Sequence, residues 1–477
     1  MQKVSISDIR SDTHEQQPIS PNAEKLLKVM LFTLIISVMN GTVFNLVLPD
    51  IAKEFTLTTS QVGWVVSSYM LVYAIGAATY GKLADKYKLK NLITFGLIFF
   101  ALGAIIGLTA NSFAMLILGR VLQAVGSSVI PATAMIVPVR YFPPQSRGRA
   151  LGSNAIGIAI GSAVGPIVCA LIMSVASWRF LFLLSLVPLV IIPFFRKYLD
   201  DEPGTTARTD LPGGILLAGT VALLLLSITN SNLNLLIAGA VLFVLFILWI
   251  SKVKDPFVQP SLFRNKNYSI SLAIAFVING LSFSLPYLSP QLLTHVNKLD
   301  SSIVGYVMVP AALGSAFFGR RGGRLADEKG SLFLIYMSTG LQILCYLLLS
   351  SLVGQSVFVI AVVLILGFVG QTFTSIGLSK TISQTLNRDN TGVGMGLFSL
   401  VNFISTATAT ALMSKFLDGG ASFVLNPFPT NSTAFVYSNI YLFLALILVV
   451  VILIYSFLLR PSAAKDKRLT ATLDVER

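Results

Sequence analysis

The stretch Gly-Lys-Leu-Ala-Asp at residues 81–85 recurs as Gly-Arg-Leu-Ala-Asp at residues 323–327, and each copy follows a long apolar run. From Gly81 to Gly323 the copies are 242 residues apart. Six membrane helices with their loops take about 190–200 residues, and two more helices add about 45. The spacing therefore predicts a duplicated chain, with two six-helix halves and a two-helix insert between them.

The composition is that of a membrane protein. Of 477 residues, 55% are hydrophobic and 11% are charged, whereas a soluble globular chain carries about 25% charged residues. This argues against a soluble enzyme or a nucleic-acid-binding protein, although the net charge is +14. A spanning helix needs about 20 mostly apolar residues. The candidates are 29–48, 62–81, 91–110, 112–139, 149–173, 178–195, 212–230, 234–252, 268–290, 303–322, 332–351, 355–380, 392–414 and 436–459.

These runs predict an all-α integral membrane fold with fourteen transmembrane helices. The runs are continuous and do not alternate with period two, which favours helices over strands. Without the pair at 212–252, twelve spans with the same orientation would remain. The predicted organisation is a disordered tail at 1–28, a six-helix bundle at 29–197, a linker with two extra helices at 198–267, a second six-helix bundle at 268–460 and a tail at 461–477.

The basic residues predict the orientation. With the N-terminus inside, the inner segments hold 28 of the 34 lysines and arginines, the outer segments hold four, and Arg120 and Lys380 lie within spans. Because cytoplasmic loops carry the excess of basic residues, both termini are expected in the cytoplasm. The short basic loops suit a bacterial cell membrane. Cys169 and Cys345 lie in apolar runs, so neither a disulfide nor a metal site is predicted.

Further motifs follow along the chain. Residues 42–51 read Thr-Val-Phe-Asn-Leu-Val-Leu-Pro-Asp-Ile, residues 120–126 read Arg-Val-Leu-Gln-Ala-Val-Gly, and glycines at 157, 161 and 165 precede Pro166. With the duplicated loop, these stretches resemble the motifs of the major facilitator superfamily. Lys-Asp-Pro-Phe-Val at 254–258 and Tyr-Ser-Asn at 437–439 resemble the fourteen-helix tetracycline efflux proteins of Gram-positive bacteria. The resemblance covers residues 29–460 and implies a drug:proton antiporter.

The duplicated motif predicts close packing and a gate. Gly81 and Gly323 lack a Cβ, so we expect neighbouring helices to approach closely there. Asp85 is expected to accept hydrogen bonds from the N-terminus of a neighbouring helix and to hold a cytoplasmic gate shut, with Asp327 as its counterpart. The alternative for Asp85 is a solvated loop carboxylate among lysines.

The glycine stripe predicts a second packing surface. Gly157, Gly161 and Gly165 recur every four residues and therefore line one helix face. Pro166 bends or weakens the helix after them. In the resembling family this stretch is associated with exporters and packs the two halves together near the outer side, which is what the resemblance implies here.

Arg120 is the charged residue most deeply placed in a predicted span. It lies about eight residues, roughly 12 Å, from the outer end of the fourth span. An intramembrane Arg costs about 2.5–3.5 kcal/mol on insertion scales, so it should face a cavity or a partner. Asp50 and Asn40 are the candidate partners, and the alternative is an arginine that snorkels to the outer interface.

The sequence has no carboxylate in the middle of a predicted span, and Asp50 and Asp85 come closest. The resembling antiporters carry an acid in the first helix, where Asn40 and Gly41 stand here. Amides cannot load and release protons near neutral pH. Three explanations remain open. Asp50 or Asp85 carries the proton and Arg120 tunes its pKa, Arg120 faces an anionic cargo, or transport is uncoupled.

We predict a secondary exporter of amphipathic small molecules, including drugs and tetracycline-like antibiotics, that exchanges protons for cargo by alternating access. The alternative is an importer, exporter or facilitator of an anionic or zwitterionic metabolite or a lipid-like molecule. A membrane enzyme is disfavoured because the sequence contains no HExxH, GxSxG or GxxxxGK[ST] motif. We expect a monomer without cofactor, metal or nucleic-acid partner. The expected cavity-lining residues are Asn40, Asn45, Arg120, Gln123, Ser127, Asn154, Asn279, Gln291, Gln371 and Asn402.

Overall fold

The computed structural model describes residues 21–84, 86–142, 147–199, 210–386, 391–421, 424–428 and 432–475, and all regular structure within these ranges is helical. The α-helices are α1 (Pro21–Glu54), α2 (Thr59–Val62), α3 (Trp64–Leu83), α4 (Leu89–Leu108), α5 (Phe113–Ser127), α6 (Val129–Tyr141), α7 (Arg147–Val175), α8 (Ile192–Tyr198), α9 (Leu211–Asn230), α10 (Leu233–Lys252), α11 (Lys266–His295), α12 (Ser301–Lys329), α13 (Ser331–Leu352), α14 (Val357–Gln384), α15 (Thr391–Gly419) and α16 (Ser432–Val475).

Fourteen helical segments in the described ranges are long and apolar enough to cross a membrane, which confirms the predicted number. The second and fourth are each made of two helices, α2 with α3 and α5 with α6. The sixth, Trp178–Tyr198, is not the continuous α-helix that the sequence suggests. It consists of two 3₁₀ segments followed by α8. Pro188 and Pro193 lack the N–H that an α-helical hydrogen bond requires, which accounts for the break.

Both copies of the duplicated motif lie on one side of the bundle, because they follow the second and the tenth span and the chain crosses eight times between them. We call this side the motif side and the opposite side the far side. Residues 323–328 were expected in a loop but form the last turns of α12. Helix α1 begins at Pro21, eight residues before the predicted start of the first span.

The expected close approach at Gly81 and Gly323 is wrong. No atom lies within 4 Å of the point where a Cβ would stand on either glycine. Both residues face open space at the ends of their helices. The close contact falls one residue earlier in α12, where a Cβ on Gly322 would lie 2.6 Å from the Phe373 ring.

We call α1–α8 the first half and α11–α16 the second half. The halves meet where α3 packs on α15, α7 on α12 and α1 on α11. One apolar core cluster contains residues of both halves, among them Val47, Ile51 and Leu288, and it lies toward the far side. On the motif side, two apolar clusters belong to one half each. A third cluster joins α3, α15 and the insert.

Helices α9 and α10 form the insert, and α9 packs on both α3 and α15. Asp210 fixes the motif-side end of α9. Its carboxylate accepts hydrogen bonds from Gly213 N (2.9 Å), Trp249 Nε1 (2.8 Å) and Phe257 N (2.8 Å). Burial alone would raise the pKa of Asp210, but these hydrogen bonds and the nearby Lys82 charge together lower it. Lys82 also donates to the Pro256 carbonyl at 2.6 Å, which ties the duplicated motif to the insert.

Candidate functional site

Arg120 lies in α5 at the centre of a buried polar cluster in the first half. Its Nε donates to the carbonyl of Val65 at 3.1 Å. Its Nη1 donates to Asn40 Oδ1 at 3.1 Å and to Gln123 Oε1 at 3.0 Å. The guanidinium therefore links α1, α3 and α5. Of the two partners expected from the sequence, the structure gives Asn40.

Two aromatic rings enclose the guanidinium. Arg120 Cζ lies 4.2 Å from the ring centroid of Phe44 and 4.0 Å from that of Tyr69. Aromatic faces attract cations, and the attraction is strongest where water is absent. These contacts compensate for part of the hydration that Arg120 loses.

Ser185 joins the amides of the cluster and was not predicted. Asn40 Nδ2 donates to Ser185 Oγ at 2.6 Å, and Gln123 Nε2 donates to the same oxygen at 2.7 Å. Ser127, which was predicted, shares a 2.8 Å hydrogen bond with the hydroxyl of Tyr69. The sequence signal for Ser185 is its position as the one hydroxyl residue in the otherwise apolar run 181–195.

The cluster is sealed and contains no negative charge in the part of the chain that the structure describes. Asn40, Arg120, Gln123 and Ser127 all have 0% exposure, so none of them faces open space in this conformation. No described carboxylate forms an ion pair with Arg120, and its Nη2 has no hydrogen-bond partner among the described residues. A buried guanidinium with an unused donor is an unusual feature and a candidate functional group.

The second half contains a polar cluster without a charged residue. Gln342 accepts a hydrogen bond from Ser282 Oγ at 2.9 Å and donates to Thr374 Oγ1 at 3.1 Å. Thr374 in turn donates to Ser338 Oγ at 3.0 Å. The sequence analysis did not select these residues. The two polar clusters therefore differ in charge, because only the cluster of the first half contains a cation, Arg120.

A row of aromatic rings leads from Arg120 to the second half. Tyr69, which stacks on the guanidinium, lies 5.7 Å from Tyr73 between ring centroids. Tyr73 contacts the edge of Phe403 in α15 at 4.9 Å. The charged cluster is therefore in continuous van der Waals contact with the surface where α3 and α15 meet.

The other expected cavity residues take varied positions. Asn154 donates to the carbonyl of Ala134 at 2.6 Å and thus joins α7 to α6. Asn279 donates to the carbonyl of Asn402 at 3.2 Å and thus joins α11 to α15. Four of these side chains have a buried atom without a hydrogen-bond partner, namely Asn45 Oδ1, Asn154 Oδ1, Gln291 Nε2 and Asn402 Oδ1. Gln371 is half-buried in α14.

The glycine stripe of α7 packs against α1 and not against the second half. A Cβ on Gly157 would lie 2.9 Å from Leu31 Cδ1, and one on Gly161 would lie 2.6 Å from the carbonyl of Ile35. A Cβ on Gly165 would lie 2.8 Å from Thr42 Oγ1. The expectation that this stripe joins the halves is therefore wrong, because its face points into its own bundle.

The contact of α7 with the second half is made by the residues that follow the stripe. A Cβ on Gly305 in α12 would lie 3.0 Å from the carbonyl of Pro166 and 2.8 Å from the Cβ of Ala170. Of the predicted residues, Pro166 therefore lies at the boundary between the halves. Gly305 was not predicted. It lies in the second half and faces another small residue, Ala170.

The predicted gate carboxylates lie on different sides. On the motif side, Asp327 pairs with Lys380 at 2.5 Å within the second half. On the far side, Asp50 accepts a hydrogen bond from the Ser301 hydroxyl and so connects the halves. Asp85 lies outside the described residues. No group of three His, Cys, Asp or Glu side chains that could hold a metal ion occurs in the described ranges.

Hydrogen bonds between the halves are concentrated at the far side. Besides Asp50 with Ser301, Ser67 donates to the carbonyl of Ala407 at 3.2 Å. The carboxylate of Asp418 accepts from two backbone N–H groups of α2. These bonds, with the shared apolar core behind them, close the far side of the molecule.

Comparison with known proteins agrees with this architecture. Residues 30–410 match the family described as Major Facilitator Superfamily. The riboflavin transporter RibZ of Clostridioides difficile (strain 630) is 26% identical over 425 residues, 87% of this chain and 92% of that protein. The methylenomycin A resistance protein of Bacillus subtilis (strain 168) is 25% identical over 353 residues, 70% and 75% of the two chains.

Solved structures resemble the fold at low sequence identity. The crystal structure of a bacterial homolog to the human lysosomal transporter Spinster, inward-facing and unoccupied, superposes with a TM-score of 0.63 at 15% identity. The match covers 91% of this chain and 95% of that one.

Proposed function

The chain belongs to the Major Facilitator Superfamily, as its motifs predict, and from this premise we propose that it exports amphipathic small molecules in exchange for protons. The expected cargo includes drugs and antibiotics, with tetracycline-like compounds among them. The name of the methylenomycin A resistance protein, a relative at 25% identity, supports an exporter of this kind.

The observation that carries the proposal is the buried Arg120. An arginine in the middle of a membrane protein costs free energy that a neutral residue would not, so a function is the default interpretation. Its unused Nη2 donor can bind an oxygen acceptor when the halves rearrange. Phe44 and Tyr69 flank that donor, which favours a cargo with both a flat apolar part and a polar edge.

The proposal includes a location and an organisation. The motif side faces the cytoplasm of a bacterial cell, in keeping with the 28 basic residues expected there. The two bundles at 29–197 and 268–460 move against each other as a monomer around a cargo site between them. The conformation closed at the far side then corresponds to a carrier that accepts cargo from the cytoplasm.

Asp50 is the candidate proton carrier for which the structure gives a position. It lies ten residues from Asn40 along α1, which corresponds to about 15 Å. Arg120 bonds to Asn40, so the cation and Asp50 stand at different depths. Coupling between them therefore has to pass through a movement of α1 and not through direct contact. Asp85 keeps its expected role as a motif-side gate within the proposal.

A second candidate function is the transport of an anionic or zwitterionic metabolite, or a flat neutral one, without a membrane-embedded carboxylate. The absence of a carboxylate partner for Arg120 among the described residues favours it, because the cargo could then supply the acceptor. The relative named as a riboflavin transporter, which matches 87% of this chain, also supports it.

Inside-out vesicles test both candidates. ATP-driven proton pumping acidifies the lumen, and each compound of a panel that includes tetracycline and riboflavin is then added. If a compound collapses the pH gradient only in vesicles that contain the protein, the result supports proton-coupled export. Vesicles with an equal amount of the Arg120→Ala variant are the control and should show no release. Protein-dependent riboflavin flux without proton release would favour the second candidate, and no release with any compound would contradict the first.

A further inference from the structure

Asp418, near the far-side end of α15, binds the first turn of α2 in the opposite half. Its Oδ1 accepts from the backbone N–H of Thr59 and its Oδ2 accepts from that of Ser60, each at 2.7 Å. The first N–H groups of a helix have no partner within it, and a negative charge is favoured there. Asp418 therefore ties the second half to the first.

Asp50 makes the reciprocal contact. It lies near the far-side end of α1 and accepts a hydrogen bond from the hydroxyl of Ser301, the first residue of α12. Ser301 is 3% exposed, so the contact is enclosed. Here the first half supplies the carboxylate and the second half supplies the start of the helix.

The two contacts are related by the internal repeat. Thr59 and Ser301 are 242 residues apart, which is the interval between Gly81 and Gly323. They begin equivalent spans of the duplicated chain, and each is met by a carboxylate from the opposite half. The same structural position is thus used twice, once in each direction across the boundary.

We propose that Asp50 and Asp418 form a paired far-side gate, in which each half holds the start of the other half's second span. Both contacts have to break before the far side can open. The proposal rests on the two-half architecture of the family and is independent of the cargo and of the coupling ion.

The two halves are packed tightly behind the two carboxylates. A Cβ on Gly63 in the first half would lie 2.4 Å from Ser414 Oγ in the second. Ser67, seven residues and about 11 Å from Ser60 along the helix, is 1% exposed and bonds to Ala407. A reagent from the far side can reach Ser67 only when the halves separate there.

Labelling of a cysteine at position 67 tests the gate without any transport assay. Ser67→Cys is introduced after Cys169 and Cys345 are replaced by alanine, and intact cells are treated with a membrane-impermeant maleimide. We expect slow labelling with both carboxylates present, about threefold faster labelling in Asp418→Asn and about tenfold faster labelling in Asp50→Asn/Asp418→Asn, because charged hydrogen bonds across the gate are lost.

Two matched variants separate a gate from a general loosening. Asp300→Asn removes an exposed far-side carboxylate whose side chain caps no helix and whose charge repels Asp50, so labelling should not become faster. Asp418→Glu keeps the charge and should label more slowly than Asp418→Asn. Unchanged labelling in the double variant, or equal acceleration by Asp300→Asn, would overturn the proposal. If the double variant does not fold, the comparison of Asp418→Asn with Asp300→Asn decides.

Discussion

Arg120 and Asn40 are joined by a 3.1 Å hydrogen bond from Nη1 to Oδ1 at the centre of the first half. Asn40 stands just before the Thr-Val-Phe-Asn motif, where the resembling antiporters carry an acid. The amide satisfies one donor of the guanidinium without neutralising it. The charge is instead spread over three uncharged acceptors and two aromatic faces. The chain therefore retains the cation of the family motif in a neutral environment.

Asn40→Asp should be tolerated, because it places a carboxylate beside the Arg120 guanidinium in a geometry that already exists. Ser185, which now accepts from the Asn40 amide, can donate its hydroxyl hydrogen to the new carboxylate. We expect the thermal unfolding temperature of the purified protein to stay within a few degrees of the starting value.

Asn45→Asp is the matched control. Asn45 lies five residues along α1, and its Oδ1 has no partner, so a carboxylate there would be buried without a counter-charge. We expect a loss of about 2 kcal/mol in the free energy of unfolding and a clearly lower unfolding temperature. If the two variants unfold at the same temperature, the Arg120–Asn40 contact does not define the environment of position 40.

Arg120→Ala should abolish transport and destabilise the first half. It leaves the side-chain oxygens of Asn40 and Gln123 without their donor, at about 1–3 kcal/mol for each buried group. Arg120→Lys keeps the charge but has no planar group to lie between Phe44 and Tyr69, so we expect partial transport. Transport per molecule of folded protein is the measurement, and full activity of Arg120→Ala would contradict the role of this cluster.

The apolar runs and the duplicated motif predicted the fold well, because a membrane leaves a helical chain few alternatives. The number of spans and the depth of Arg120 follow from run length alone. The packing direction of the glycine stripe does not. A four-residue interval shows that Gly157, Gly161 and Gly165 share a face, but only the structure shows that α1 lies on that face.

The contacts between distant segments explain the other differences. Ser185 lies 145 residues from Asn40, and Asp418 lies 358 residues from Ser60. A sequence read for periodicity shows that each is polar and near a particular depth, but not which partner it meets. The 242-residue interval that relates Thr59 to Ser301 is a signal that the sequence does contain.

The packing of α7 on α1 predicts different outcomes for two glycine substitutions. Gly161→Ala adds a methyl group 2.6 Å from the Ile35 carbonyl, a backbone atom that cannot rotate away. We expect a loss of about 1–3 kcal/mol in the free energy of unfolding, because overpacking forces the helices apart. Gly81→Ala adds the same group where no atom lies within 4 Å, so stability should stay the same or rise slightly, because Ala favours the helix. Equal unfolding temperatures for the two variants would show that the stripe is not tightly packed.

The carboxylate of Asp210 predicts a pH dependence for the attachment of the insert. Hydrogen bonds from Trp249, Gly213 and Phe257 and the Lys82 charge outweigh the effect of burial, so the folded pKa lies below the unfolded value of 3.8. A depressed pKa stabilises the folded state above the unfolded pKa, and this contribution is lost as the pH falls through the folded pKa.

Asp210→Asn should therefore lower the free energy of unfolding by about 1–2 kcal/mol at pH 6. The difference between the variant and the unsubstituted protein should shrink as the pH falls below 3.8, because a protonated Asp210, like an asparagine, carries no charge. Thermal unfolding followed at several pH values measures this difference. A gap between the two proteins that stays constant with pH would show that Asp210 acts through its shape and not through its charge.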